Sequence, residues 1–270
     1  MNSFFSCPVC GEPLSGDKTL KCKNNHSYDR NKHGYINLLM SNAASSKRHG
    51  DDKLMVLARS SFLEQGHYAP VREAIAQAIR AYAVPGMRIL DAGCGECWYT
   101  AYFAELLKDY APQIGGVDIS KDALRQGYKR APLELAVAST AKLPVPSGSC
   151  DCVLNIFSPP ELEEFCRVLH PGGILVRALP MENHLLGLKQ AVYDNALLNP
   201  APEEDIPGFR LAAKTPVQYT IDLHTSDDIW NLFTMTPYYY KTGKEDQEKL
   251  KALTSLTTQV EILVLTYEKI

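Results

Sequence analysis

The stretch Arg88-Ile-Leu-Asp-Ala-Gly-Cys-Gly-Glu-Cys-Trp-Tyr-Thr100 decides the fold. It opens as a short apolar run, breaks at two glycines one residue apart, and passes into a helical pattern. A buried parallel strand, a tight turn and a following helix read this way. Glycine in such a turn lets backbone N–H groups come close to a ligand. A dinucleotide-binding turn carries a third glycine and offers a helix N-terminus to a pyrophosphate. Here Asp91 ends the strand, and Glu96 and Cys97 stand where the helix opens. An acidic lip repels phosphate and suits cationic and hydroxyl groups. S-adenosylmethionine, which brings a sulfonium, an ammonium and ribose hydroxyls but no phosphate, is therefore the expected cofactor. Asp91, Gly93, Gly95, Glu96 and Cys97 are its expected neighbours.

Outward from this turn the chain alternates. A helix is expected over 99–109, a strand over 114–118 and a helix from about Lys121. Strands follow at 133–139 and 150–157, then a helix at 161–169 and a fifth strand at 174–179. Parallel strands separated by helices give a doubly wound sheet that binds ligands at the strands' carboxyl ends. Upstream, 54–66 and 71–83 read as helices, the second with Val71, Ile75 and Ile79 on one face. Beyond 180 come a helix at 184–194, a Pro-rich loop at 199–207, a mixed region, and a closing strand at 260–268, expected to be antiparallel. The fold class is α/β: a doubly wound, mostly parallel seven-stranded sheet with a small N-terminal zinc-binding domain. The expected division is 1–40 for that domain, 41–53 for a linker and 54–270 for the sheet domain.

Several residues fall on the ligand rim. Asp118 closes the second strand, where a carboxylate can accept both ribose hydroxyl protons. Leu143 follows the third strand and is expected against an adenine ring. Asn155, or a backbone carbonyl in the run Asn155-Ile-Phe-Ser-Pro-Pro160, is expected to face the reacting methyl group and its acceptor, and His184 lies just past strand five. Cys94 and Cys97 form a Cys-x-x-Cys with no further Cys or His pair nearby, so buried thiols are favoured over metal or redox use. Tyr238-Tyr239-Tyr240 reads as core, with base stacking as the alternative.

At the N-terminus, Cys7-Pro-Val-Cys10 is followed after eleven residues by Cys22-Lys-Asn-Asn-His26. Two short knuckles supplying four soft or imidazole ligands make a tetrahedral structural zinc site, and a filled site leaves no position for catalysis. Gly11 and Asn24-Asn25 permit the tight backbone that such knuckles need. Residues 1–50 carry seven Lys/Arg against three Asp/Glu, while the other 220 carry 21 basic and 28 acidic side chains. A basic head on an acidic body places any polyanion at the N-terminus. No apolar run approaches the roughly 18 residues of a membrane span, and no secretory signal is evident, so a cytoplasmic protein is expected.

Taken together, the chain resembles the 23S ribosomal RNA guanine-N1 methyltransferases, class I S-adenosylmethionine-dependent enzymes with an N-terminal zinc module. The matching stretches are Cys7–Cys10 with Cys22–His26, Gly34–Leu39, Phe62-Leu63 with Gly66-His67-Tyr68, Leu90–Glu96, Gly116–Ser120, His170–Gly173 and Met235–Pro237. The resemblance implies cofactor contacts at Tyr68, Gly95, Glu96 and His184, and zinc at Cys7, Cys10, Cys22 and His26. It further implies a homodimer acting on N1 of a guanine in a hairpin loop of domain II of the large-subunit RNA. Cys97 departs from the pattern, which has a third glycine there, and its side chain is expected to narrow the space beside the cofactor's methionine half. N1 carries a proton at neutral pH, so a base or strong acceptor is expected to help remove it. Asn155, the Ser158 region and His184 are candidates by position only, and the catalytic residues stay unassigned. Two rival readings are a small-molecule methyltransferase with a structural zinc module and a catalytically inactive zinc-bearing RNA-binding protein.

Overall fold

The computed structural model describes residues 2–40 and 50–270. The N-terminal module is a four-stranded antiparallel sheet of β1 (Asn2–Ser6), β2 (Pro13–Gly16), β3 (Thr19–Lys21) and β4 (Ser27–Asp29). Next come β5 (Ile36–Asn37), α1 (Lys53–Glu64) and α2 (Ala69–Arg80), then β6 (Arg88–Ala92), α3 (Trp98–Leu106), β7 (Gln113–Asp118) and α4 (Lys121–Gly127). The chain continues through β8 (Glu134–Val137), β9 (Cys150–Ile156), α5 (Leu162–Val168), β10 (Leu169–Pro180) and α6 (Leu186–Val192). It ends with β11 (Phe209–Leu223), α7 (Ser226–Thr234), α8 (Tyr238–Lys241), α9 (Lys244–Lys251) and β12 (Leu256–Lys269).

The large sheet has the order β11-β12-β10-β9-β6-β7-β8-β5. Pairing is parallel from β10 through β5 and antiparallel on both sides of β12. The strand order reverses between β6 and β9, and a crevice opens at the carboxyl ends there. The expected sheet has seven strands, six of them located in the sequence; β11 makes the seventh, and β5, whose two residues pair with Ala136 and Val137 of β8, adds an eighth. Ile36 and Asn37 fall within the span expected for the zinc-binding domain, yet they form the outer edge of the large sheet. Of the expected linker, 41–49 lie outside the described residues.

β11 is missed in the sequence reading: residues 210–216 are mostly exposed, while Val217, Tyr219, Ile221 and Leu223 alternate with exposed Gln218, Thr220 and Asp222 in the period-two pattern of a half-buried strand. It is an edge strand, which is where Pro216, lacking a backbone N–H, is tolerated. Fourteen of its residues pair with β12.

The sheet is buried on both faces. One face packs beneath the helical layer, with Val71, Ile75 and Ile79 of α2, Phe103 of α3 and Phe233 of α7 in one continuous core with Ile89, Leu154 and Val176. The four-residue spacing read from α2 therefore marks its buried side. The second face packs against Phe165 of α5 and against Phe4, Phe5, Leu14 and Leu20 of the N-terminal module. Docking of the module is also polar. The Phe4 N–H donates to Glu134 Oε1 at 2.7 Å, the Ser6 N–H donates to the Pro144 carbonyl at 2.8 Å, and the Arg88 guanidinium sits 4.4 Å over the Phe4 ring. No helix among the described residues is long and apolar enough to cross a membrane.

Candidate active site and zinc centre

The turn after β6 carries the site. Gly93 and Gly95 have φ of +93° and +54°, and their neighbours explain each glycine differently. A Cβ on Gly93 would stand 2.5 Å from Ser158 Cβ, so close packing of the turn on the β9 loop requires the glycine. A Cβ on Gly95 would meet nothing nearer than Arg59 Nη1 at 3.7 Å. Its backbone thus faces open space, as a cradle for a ligand must. The Gly93 and Cys94 N–H groups both donate to the Val117 carbonyl, and the Gly95 N–H donates to Asp118 Oδ2 at 2.9 Å. Asp118 Oδ1 accepts from the Ser120 N–H at 2.7 Å. Each carboxylate oxygen has a second lone pair, which leaves Asp118 able to accept two hydroxyl protons.

Asp91 is buried. Its Oδ2 accepts from Thr100 Oγ1 at 2.5 Å, and its Oδ1 has no partner. An orphaned buried carboxylate oxygen is costly unless a ligand satisfies it. Burial pushes the Asp91 carboxyl up to about 7 and also raises Asp118. Glu96 is buried 3.8 Å from Arg59 Nη1, the same nitrogen that pairs with Asp51 at 2.5 Å. Arg59 Nη2 reaches the Met235 carbonyl at 3.3 Å. Arg59 thus ties the acidic lip to the C-terminal helices. Sequence reading misses it, because nothing in the pattern of α1 marks its part-buried arginine as the partner of Asp51 just upstream and of Glu96 in the glycine turn.

Cys97 caps α3 with φ of +58°, the conformation a third glycine would favour. Its side chain does not narrow the crevice. It is fully buried, and a Cβ on Gly127 of α4 would stand 2.6 Å from its sulfur. A glycine given up at position 97 is matched by one present at 127. Cys94 and Cys97 are both buried among core residues, in keeping with structural thiols.

Tyr68 and His184 are brought together, with Tyr68 Oη 3.3 Å from His184 Nε2 and both residues buried. His184 Nδ1 accepts from the Glu261 N–H at 3.2 Å. That nitrogen carries no proton, so the neutral ring is protonated on Nε2 and donates to Tyr68. Burial, with a contribution from Lys189, lowers His184 to about 3, which makes it a poor proton acceptor at neutral pH. Its position past strand five suggests a base, and its environment removes that role.

Two expected contacts lie elsewhere. Leu143 is buried in the core of the sheet's second face, with its N–H on Glu164 and its carbonyl on Arg167. It offers no surface to an adenine. Asn155 is fully buried, accepting from Arg177 Nε and donating to Ser158 Oγ at 2.6 Å and the Ser158 carbonyl at 3.0 Å. Ser158 Oγ in turn donates to the Ala92 carbonyl at 2.7 Å. This chain clamps the β9 loop onto the glycine turn, and it uses up both Asn155 and Ser158 as bases. In the Tyr238–Tyr240 run, Tyr238 and Tyr239 pack on the core and Tyr240 is mostly exposed.

The metal centre lies in the N-terminal module. Cys10 Sγ is 3.7 Å from Cys22 Sγ, and His26 Nδ1 is 3.5, 3.5 and 3.4 Å from the sulfurs of Cys7, Cys10 and Cys22. Ligands about 2.3 Å from a zinc ion stand about 3.7 Å apart at tetrahedral angles. The set therefore fits zinc with no rearrangement. Gly11 and Asn25 supply the positive φ that each knuckle needs, and the Tyr28 hydroxyl, 3.2 Å from Cys7 Sγ, is placed to support a thiolate.

The strand order, the acid-lined glycine cradle and the orphaned Asp91 oxygen define a class I S-adenosylmethionine-dependent methyltransferase. Sequence comparison agrees: residues 5–47 match a zinc-ribbon profile described as "RlmA, N-terminal", and residues 89–173 match a methyltransferase domain profile. The "23S rRNA (guanine(748)-N(1))-methyltransferase" of Streptomyces fradiae is 34% identical over 70% of this chain and 68% of its own length. The "Putative 23S rRNA (guanine-N(1)-)-methyltransferase YxjB" of Bacillus subtilis is 32% identical over 97% of this chain and 96% of its own. The chain belongs to the 23S rRNA (guanine-N1)-methyltransferase family.

Proposed function

We propose that the chain transfers a methyl group from S-adenosylmethionine to N1 of a guanine in a hairpin loop of domain II of 23S ribosomal RNA, as a cytoplasmic homodimer. The observation that carries this reading is the joining, in one chain, of the acid-lined cradle at Asp91–Cys97 with the Cys7/Cys10/Cys22/His26 centre. Bound, the cofactor supplies an electrophilic sulfonium methyl group. Asp118 holds the ribose hydroxyls, and Asp91 and Glu96 attract the cationic methionine end. The open backbone at Gly95 admits close approach. Tyr68, oriented by His184, donates its hydroxyl proton to an acceptor on the cofactor. Zinc held by the four N-terminal ligands fixes a basic module for RNA positioning. The division proposed is a zinc-binding domain within 1–40, a connection within 41–53 and a catalytic domain over 54–270, with β5 bridging the first to the third.

N1 lies on the Watson–Crick edge, so the target base must come from a loop or be turned out of its stack. Incubation with methyl-labelled cofactor and ribosomal RNA from cells lacking the gene tests the reading. Label is expected in guanine of the large-subunit RNA. Label confined to a small-molecule fraction would instead make the zinc module a mere stabiliser.

A further inference from the structure

Phe157 follows β9 at the carboxyl rim, where the sheet order reverses, and three features set it apart. Its φ is +54°, a region that bulky L-residues seldom occupy. The residue is 42% exposed although Asn155 and Ile156 beside it are buried. It also stands among the site's aromatic side chains, 6.2 Å from the Tyr68 ring and 6.3 Å from the Tyr99 ring. Strained backbone persists where its surroundings hold it, and such places gather at functional sites. The bracing here is explicit. The Phe157 N–H donates to the Ala178 carbonyl, and Asn155 and Ser158 lock the adjoining residues to each other and to Ala92.

Neither packing nor solvation accounts for an apolar ring kept strained and partly in water. A flat partner laid on the exposed face would. A second observation at the same place also points to a ligand: the Tyr99 hydroxyl is buried without a hydrogen-bond partner. The occupant is constrained by the chemistry already assigned to this rim. A nucleobase taken from an RNA loop loses its stacking neighbours and is received on aromatic rings. We propose that Phe157 is the platform on which the target guanine stacks beside the cofactor cradle. This inference rests on the RNA-methylating reading above and adds the residue that receives the base.

The test compares the wild-type chain with Phe157→Leu and Phe157→Tyr, using ribosomal RNA from cells lacking the gene and labelled S-adenosylmethionine. Stacking of a base on an aromatic ring is commonly strong enough that Phe157→Leu should lower kcat/KM for RNA by about ten- to a hundredfold. Cofactor affinity by calorimetry should stay within about twofold, and Phe157→Tyr should restore most of the transfer, because both retain what the cofactor sees and the second retains the flat face. Equal transfer by wild type and Phe157→Leu would overturn the stacking role. Phe157→Tyr as impaired as Phe157→Leu would do the same, as would a parallel loss of cofactor affinity. Wild type that methylates no RNA would overturn the underlying reading and this one with it, and the wild-type lane alone reveals that case.

Discussion

Tyr68 Oη and His184 Nε2 meet at 3.3 Å across 116 residues of sequence, while the other nitrogen of His184 accepts from the Glu261 backbone. The histidine thus donates to the phenol and frees the phenol's own proton for a ligand. Tyr68→Phe keeps the ring and removes that donor. Its affinity for S-adenosylmethionine should fall about tenfold or more, the usual worth of a hydrogen bond to a charged acceptor, while the fold is retained at a cost of about 1–3 kcal/mol because the buried His184 N–H loses its acceptor. Titration calorimetry of the two proteins checks this, and equal affinities would exclude the contact.

Asp91 makes cofactor binding a proton-linked event. In the free protein burial raises its carboxyl from 3.8 to about 7, and a bound cation favours the carboxylate. Binding below pH 7 should therefore release a proton, and affinity should rise as pH climbs through about 7. Calorimetry at pH 6.5 in two buffers of different ionisation enthalpy should give different observed enthalpies for wild type and the same enthalpy for Asp91→Asn. The two residues Asp91 and His184 affect stability with opposite signs. Asp91, raised, contributes stability that is full below 3.8 and lost as pH rises through about 7. His184, depressed, contributes stability present above 6.5 and lost as pH falls toward about 3.

Cys97 and Gly127 form a matched pair. Gly127→Ala forces a Cβ to within 2.6 Å of the Cys97 sulfur and should destabilise by about 1–3 kcal/mol, as overpacking does. In a Cys97→Gly background the same alanine has room, and its better helix propensity should make it neutral or stabilising by up to about 1 kcal/mol. A denaturant double-mutant cycle measures the coupling, and additive effects would refute the pairing. Cofactor affinity should change little in Cys97→Gly, since the sulfur lies outside the crevice.

The basic residues of the N-terminal module divide into two groups. Arg30 donates to the carbonyls of Asp17 and Gly34 and braces the module, while Lys23 pairs with Glu12 at 2.7 Å on the surface. Lys18, Lys21 and Lys32 are exposed. Replacing these three lysines by alanine should weaken RNA binding and flatten its salt dependence, by about one unit of slope for every phosphate that a lysine had neutralised. Cofactor affinity and melting temperature should stay intact. Arg30→Ala should instead lower the melting temperature. An unchanged salt slope in the triple variant would place the RNA elsewhere.

The glycine turn, Asp118 and the zinc ligands are legible in the sequence because each sits in a short local pattern whose chemistry is fixed by spacing. Tyr68 and His184 are joined only by folding, so residue reading alone does not unite them and resemblance to a family does. Asn155 lies at the carboxyl end of β9 and Leu143 follows that of β8, but both side chains are buried rather than open to the crevice. A strand turns successive side chains to opposite sides, and Asn155 shares the side of Val153, away from Cys152 and Leu154 of the helical layer. Arg59 and Phe157 leave no local signal. One is a helix arginine paired with Asp51 just before the start of its own helix and with Glu96 of the glycine turn, and the other is an apolar residue whose backbone strain no sequence displays. β11 goes unread although Val217, Tyr219, Ile221 and Leu223 carry a period-two signal, because residues 210–216 before them are mostly exposed and include a proline.

The central claim is that the cradle between Asp91 and Cys97 delivers a methyl group to guanine N1 of 23S ribosomal RNA. Mass-spectrometric mapping of methylated guanines in that RNA tests it most directly, in cells with the gene, without it, and complemented with the wild-type or Gly95→Val chain. One 1-methylguanosine in a domain II hairpin loop should vanish with the gene, return with the wild-type chain and stay absent with Gly95→Val. Identical maps with and without the gene, or a lost methyl group on another atom or another RNA, would contradict it.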